Sequence, residues 1–251
     1  MTYTTPAGKM ELLYEDALNQ KHLLIAGKSG SGKSVFVNGL IWTALYSAPG
    51  SQAGGKEFIL IDAKGVELSR YADLPHTIAH AVSAPERLSA LMKAEKIMDN
   101  RFAEMRKYSE KLYHGGDLYV IIDEFADLVT TQRRETVPII QRLSQLGRAA
   151  RVHLILCTQS PIAKILMTEV KVNFDAIVGL KTRSAQDSRN IIGMSGLEDL
   201  PEPGHCYYIT PSKESLTTFK MYTEYELDGR VEHWTKQESR VWRGLLKLLG
   251  A

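Results

Sequence analysis

Residues 27–34, Gly-Lys-Ser-Gly-Ser-Gly-Lys-Ser, stand between the apolar run His22-Leu23-Leu24-Ile25-Ala26 and the segment Val-Phe-Val-Asn-Gly-Leu-Ile-Trp. A glycine-rich stretch in that setting reads as a turn from a buried strand into an amphipathic helix, and it constrains the chain more than any other feature. Gly27, Gly30 and Gly32 are expected to adopt positive φ, so that successive backbone N–H groups point inward and form an anion cradle. The helix starting near Lys33 adds the positive end of its dipole. Together these make a phosphate-binding loop. Gly27, Lys28, Ser29, Gly30, Ser31, Gly32, Lys33 and Ser34 become candidate nucleotide contacts, with Lys33 reaching the β- and γ-phosphates and Ser34 completing the coordination of Mg2+.

A second run, Leu118-Tyr119-Val120-Ile121-Ile122, follows the turn signal Gly115-Gly116-Asp117 and ends in Asp123-Glu124. It reads as a central parallel strand with two carboxylates at its C-terminal edge, where open α/β sheets bind ligands. Asp123 would then hold Mg2+, directly or through water, and Glu124 would polarise the water that attacks the γ-phosphate. The competing reading is that the acidic pair caps the next helix, Phe125-Ala126-Asp127-Leu128. The guanine-reading pattern Asn-Lys-x-Asp is absent from the sequence, which favours ATP over GTP. Thr158-Gln159 ends another apolar run, where the Gln159 amide could sense the γ-phosphate, and Asp62-Ala63-Lys64-Gly65 closes a third in the same way.

The remaining strand candidates are Phe58-Ile59-Leu60-Ile61, Val152–Cys157 and Ala176–Leu180. Helical patterns separate them, notably from Ala84 to Leu112, where Leu88, Leu91, Met92, Met98, Phe102 and Met105 recur at three- and four-residue spacing. Alternating strands and helices predict a doubly wound, mostly parallel α/β sheet with helices on both faces. Sequence order alone leaves open whether the Asp-Glu strand adjoins the loop strand. A length of 251 residues permits one large domain or two small ones, and 31 basic against 29 acidic residues neither demands nor forbids nucleic acid. Two isolated cysteines, Cys157 and Cys206, suit a reducing, cytoplasmic setting. No apolar run approaches the roughly 18–20 residues that a membrane-spanning helix needs.

Several of these blocks occur together: the Ala26–Ser34 loop, the stretch Leu60–Tyr71 with Leu74-Pro75-His76, the segment Val120–Leu128, the run Gly147–Leu154, and Thr158-Gln159-Ser160-Pro161 followed by Asp187-Ser188-Arg189. The set resembles the motor domain of the FtsK/SpoIIIE DNA translocases over about residues 15–225. The resemblance implies a RecA-like P-loop ATPase, with residues 1–225 as the motor domain, that assembles as a homo-oligomeric ring, usually a hexamer. Double-stranded DNA would pass through its centre, and ATP would bind between subunits. Carried over by motif, Lys33, Ser34, Asp123, Glu124 and Gln159 keep the roles given above. Arg148 is the first candidate for an arginine that completes a neighbour's site, with Arg151 second; the alternative for both is a solvated helix end. Lys164, Lys171, Lys181, Arg183 and Arg189 are candidate DNA-phosphate contacts, since a tracking protein needs the backbone rather than the bases.

The sequence departs from the family pattern at Ser160, where an arginine is usual, and in the apolar run Asp175–Val178. It shows no membrane-spanning N-terminus, preceding helper domain or C-terminal winged helix of the family's full-length members. That points to a minimal motor serving a plasmid, phage or integrative element, alone or with a separate helper or recruiting protein. Residues 226–251 are expected to form a helical tail, with Trp234, Trp242, Leu245 and Leu249 among basic residues. Three readings compete with a DNA motor: a conjugative coupling ATPase, a secretion ATPase that binds peptide, and a scaffold that assembles on ATP without turning it over.

Overall fold

The computed structural model describes residues 8–46, 55–159, 173–201, 205–211 and 213–220. Lys164, Lys171, Ser160 and the tail 226–251 lie outside the described residues. The chain runs α1 (Gly8–Leu18), β1 (Leu23–Ala26), α2 (Lys33–Tyr46), β2 (Glu57–Ile61), β3 (Thr77–Ala81), α3 (Ala84–Lys107), β4 (Leu118–Ile122), α4 (Phe125–Leu146), β5 (Val152–Thr158), β6 (Ala176–Leu180), α5 (Ala185–Ile192), β7 (His205–Thr210) and β8 (Lys213–Lys220). The strands form one eight-stranded sheet in the order β3-β2-β4-β5-β1-β6-β7-β8. The first six of that order are parallel, and β7 and β8 add an antiparallel edge.

The apolar runs are continuous because both sheet faces are covered. Along β4, Tyr119 and Ile121 join the core beneath α1 and α2, while Leu118, Val120 and Ile122 join the core beneath α3 and α4. The same parity holds in β2, where Phe58 and Leu60 face one layer and Ile59 and Ile61 the other. Parallel strands need crossovers, and α2, α3 and α4 supply them. The Asp-Glu strand does not adjoin the loop strand, because β5 lies between them, paired to β1 at Ile25↔Cys157 and to β4 at Ile122↔Leu156.

Five elements, α3, α4, β3, β7 and β8, carry features beyond the sequence-based expectation. Helix α3 opens on a capping box, with Glu86 Oε2 accepting from Ser83 N at 2.8 Å, but it stops at Lys107 instead of Leu112. Ser109 adopts φ 55° and Glu110 N donates back to Met105 O at 2.9 Å, which closes the last turn as a left-handed C-cap does. Helix α4 is kinked at Gln132 (φ −139°, ψ 31°), whose side-chain amide donates to Ala84 O at 2.8 Å, and it carries Pro138 further on. Strands β3, β7 and β8 were not anticipated. β3 and β8 are the two edges of the sheet and β7 lies between β6 and β8; the partial burial along β3 and the alternation of β7, where Cys206, Tyr208 and Thr210 are buried, make a weaker signal than a run buried on both faces.

His22 precedes β1, and its Nδ1 accepts from Leu154 N at 3.0 Å on β5. Burial, reinforced by the nearby His153, pushes its pKa down to about 3. The folded state therefore keeps His22 neutral while the unfolded chain protonates it near 6.5, so its contribution is whole above that pH and declines as pH falls toward 3. Comparing wild type with His22→Asn isolates this group. Between pH 6.5 and 5 the wild type should lose about 2 kcal/mol of unfolding free energy relative to the variant, measured by urea denaturation.

Candidate functional site

The loop from Gly27 to Ser34 leaves the C-terminal end of β1 and enters α2, whose first turn is closed by Phe36 N donating to Gly32 O at 3.0 Å. Gly30 (φ 74°) and Gly32 (φ 99°) take the left-handed conformation that only glycine adopts without strain. Gly27 does not. It is required for a different reason, since a Cβ there would come within 2.6 Å of Leu180 Cβ and 2.8 Å of Ser31 Oγ. The loop is also tied to both neighbouring strands, through Gly27 N to Thr158 O (3.3 Å) and Lys28 N to Lys181 O (2.8 Å). Ser31 is buried, and its hydroxyl donates to Lys28 O at 2.7 Å. Ser29 and Gly30 are exposed at the loop's tip.

Lys33 is buried, and its Nζ donates to the carbonyls of Gly27 (2.9 Å) and Lys28 (2.8 Å), so the ammonium sits inside the loop it belongs to. Burial lowers its pKa, an effect opposed by the nearby carboxylates of Glu124 and Asp123. Cys157 is fully buried, and its thiol is pushed up by burial. It is a packing residue, as expected.

Asp123 and Glu124 follow β4 and make separate contacts. Asp123 is 8% exposed and its backbone N donates to Ile61 O at 3.0 Å. Burial, followed by the charges of Asp62, Glu67 and Glu124, pushes its pKa up to about 6, against a counter-pull from Lys64. Burial and three neighbouring carboxylates outweigh the pull of Lys64 at this position, the kind of site a divalent cation relieves. Asp123 and the Ser34 hydroxyl at the start of α2 therefore fit Mg2+ by donor type. Glu124 is the N-cap residue of α4, but its side chain makes no capping bond. Its carboxylate instead accepts from Thr158 Oγ1 (3.2 Å) and from Gln159 N (3.2 Å to each oxygen). The helix-capping alternative is therefore not how this carboxylate is used.

Asp62 is fully buried, and its carboxylate accepts from Lys64 N (3.1 Å), Gly65 N (3.0 Å) and Leu68 N (2.9 Å). It organises the loop after β2, an Asx-type turn that the Asp-x-Lys-Gly pattern encodes locally. The contact that sequence reasoning missed is the Thr158 hydroxyl on Glu124, which depends on β5 lying beside β4.

The two arginines after α4 separate clearly. Both precede β5 and so lie at the N-terminal edge of the parallel strands, opposite the phosphate loop. Arg151 is committed within its own chain, with Nε and Nη2 donating to Asp117 at 2.8 and 2.7 Å. Arg148 is exposed, and its guanidinium makes no hydrogen bond or ion pair among the described residues. Lys181 follows β6 directly beside the phosphate loop, and Arg183 and Arg189 are exposed, the latter on α5.

A family model described as the FtsK/SpoIIIE family matches residues 6–115 and 110–163. The chain belongs to the FtsK/SpoIIIE family. Among curated relatives, a protein named DNA translocase FtsK from Borreliella burgdorferi is 35% identical over 211 residues, covering 78% of this chain and 26% of the relative. Its namesake from Caldanaerobacter subterraneus subsp. tengcongensis is 36% identical over 234 residues, covering 88% of this chain and 32% of the relative. The chain thus spans about a quarter to a third of the length of these relatives. Its fold is shared with the cytoplasmic domain of the Thermomonospora curvata type VII secretion ATPase EccC (TM-score 0.68, 24% identity, 85% of this chain and 28% of that one). It is shared too with the pCW3 conjugation coupling protein TcpA (TM-score 0.69, 22% identity, 82% of this chain and 61% of that one). The P-loop ATPase architecture expected for an FtsK/SpoIIIE motor domain is therefore present. Among the described residues no helix is long and apolar enough to cross a membrane.

The raised pKa of Asp123 has a stability consequence. Its folded value, about 6, exceeds the ordinary 3.8, so ionising it costs the folded state progressively as pH rises through that interval and fully above it. Asp123→Asn should unfold at higher urea than wild type at pH 8, by about 2–3 kcal/mol, with the gap closing as pH falls toward 4. Equal stability at pH 8 would contradict the burial argument.

Proposed function

We propose that this chain is an ATP-hydrolysing, ring-forming motor that translocates double-stranded DNA, serving a plasmid, phage or other mobile element in the cytoplasm. The observation that carries the reading is the convergence of the phosphate loop, Asp123 and the Thr158-bound Glu124 at one sheet edge, in a chain of the FtsK/SpoIIIE family. A scaffold that only binds ATP has no need of a held, oriented base.

In this mechanism the N–H groups of residues 27–34 cradle the phosphates, and Lys33 exchanges its two carbonyl partners for phosphate oxygens, a short displacement since both lie in the loop. Mg2+ bound with ATP, held by Ser34 and Asp123, would neutralise phosphate charge. Glu124 takes the proton of the attacking water, oriented by the Thr158 hydroxyl and the Gln159 N–H, while the Gln159 amide contacts the γ-phosphate. Arg148 of one subunit reaches a neighbour's ATP from the opposite sheet edge, which suits a head-to-tail ring, usually of six. Lys164, Lys171, Lys181, Arg183 and Arg189 contact DNA phosphates. A helper or recruiting protein is a further partner.

ATP turnover with and without linear double-stranded DNA tests this. The expected result is strong stimulation that weakens steeply with added salt, is abolished in Lys33→Ala, and falls about a hundredfold or more in Glu124→Gln while that variant retains bound ATP. Turnover indifferent to DNA but raised by a peptide would transfer the reading to secretion. Unchanged turnover in Glu124→Gln would remove Glu124 from its role.

A further inference from the structure

At the edge opposite the phosphate loop, residues 147–151 make a tight turn between α4 and β5, and every carbonyl in it is engaged. Gly147 O accepts from Val152 N (2.9 Å), Arg148 O from Arg151 N (3.2 Å) and Ala149 O from Tyr113 N (2.9 Å). Ala150 O accepts from Arg101 Nη1 (2.9 Å), and Arg151 O from both Leu118 N (2.9 Å) and Arg101 Nη1 (2.9 Å). Arg151 holds a left-handed φ of 53°, uncommon for a residue with a side chain, and is braced by its two-pronged bond to Asp117. Asp117 is held in turn by His153 Nε2 at 3.0 Å. Burial alone would raise the Asp117 pKa, but the bonds and charges of His153 and Arg151 outweigh it and keep the carboxyl well below the usual range.

Arg101 stands out in this arrangement. It is 7% exposed, lies on α3, and its guanidinium sits 4.7 Å from the centre of the Tyr113 ring. Its salt-bridge partner, Glu57, is distant at 3.9 Å, so its close bonds go to two main-chain carbonyls. Burying a guanidinium carries a desolvation cost, and here it fixes a surface turn. The side chain which that turn presents outward is Arg148.

We propose that Arg101 is the positioning residue for Arg148: it locks the 147–151 turn so that the Arg148 guanidinium meets a neighbouring subunit's ATP in a preset orientation. The inference rests on the reading of Arg148 as the arginine acting between subunits. A guanidinium that must reach a transferring phosphoryl group loses its effect when displaced by about 1 Å, which costs on the order of a hundredfold. Arg101 never touches the nucleotide. Its replacement should therefore mimic a weakened Arg148 variant while leaving the subunit's own phosphate loop and carboxylates intact.

Mixed rings of the full chain test this. Arg148→Ala has an intact loop but no donor arginine, and Lys33→Ala has the reverse. A random one-to-one mixture places an intact loop against an intact Arg148 at about a quarter of head-to-tail interfaces, so DNA-stimulated turnover should exceed that of either variant alone. Arg101→Gln is expected to lose about tenfold to a hundredfold in kcat with KM for ATP changed less than about twofold, and to be restored by Lys33→Ala in the same way. Arg101→Lys, which keeps the charge but offers no planar fork, should fall between wild type and Gln, and it carries the test if the Gln variant does not fold. Restoration of Arg148→Ala but not of either Arg101 variant, or Arg101 variants with wild-type kcat, would overturn the inference and leave the trans reading standing. Failure to restore Arg148→Ala itself would overturn both.

Discussion

Thr158, the last residue of β5, makes two bonds on which the arrangement of the site depends. Its carbonyl accepts from Gly27 N at 3.3 Å, and its hydroxyl donates to Glu124 at 3.2 Å. Because β5 lies between β1 and β4, this one residue fixes the start of the phosphate loop relative to the carboxylate at the end of the neighbouring strand. Were β4 paired directly to β1, the loop and the carboxylates would crowd one another. With one strand interposed, the loop and the carboxylates stand at the ends of next-nearest strands. The parallel register carries this spacing back into the core, where Ile25, Cys157 and Ile121 pack in one layer beneath α1 and α2.

The two edges of the sheet are built differently. The phosphate edge holds groups in uncomfortable electrostatic states: Asp123 is buried among Asp62, Glu67 and Glu124, and Lys33 is buried against carbonyls. Such groups destabilise the fold and are poised to bind the opposite charge. The opposite edge is electrostatically satisfied, with Asp117 held by Arg151 and His153, and Arg101 capping two carbonyls. On the proposed mechanism, poise suits the edge that changes partners during turnover, and rigidity suits the edge proposed to present Arg148.

Much of the phosphate edge was legible in the sequence, since Gly30, Gly32, Lys33 and Ser34 act through local geometry and Asp123-Glu124 end a run too apolar to be anything but a central strand. Gly27 was recognised for the wrong reason. Its constraint is the approach of Leu180, over 150 residues away, which no local pattern encodes. The distinction between Arg148 and Arg151 was equally out of reach, because both stand in one Gly-Arg-Ala-Ala-Arg stretch and only the tertiary partner Asp117 commits one of them. The end of α3 depends on a left-handed Ser109, a residue type that gives no strong stop signal. Strands β3 and β7 escape because the partial burial of β3 and the one-sided burial of β7 dilute the apolar pattern.

Movement along DNA, rather than hydrolysis in its presence, is the central claim. The direct measurement is displacement of a third-strand oligonucleotide annealed to a linear duplex, followed over time with ATP and the full chain. The expected result is ATP-dependent release that is lost in Glu124→Gln and slows as the duplex between loading end and third strand lengthens. DNA-stimulated hydrolysis that leaves the third strand in place would contradict it, and would make the protein a DNA-responsive ATPase that does not track.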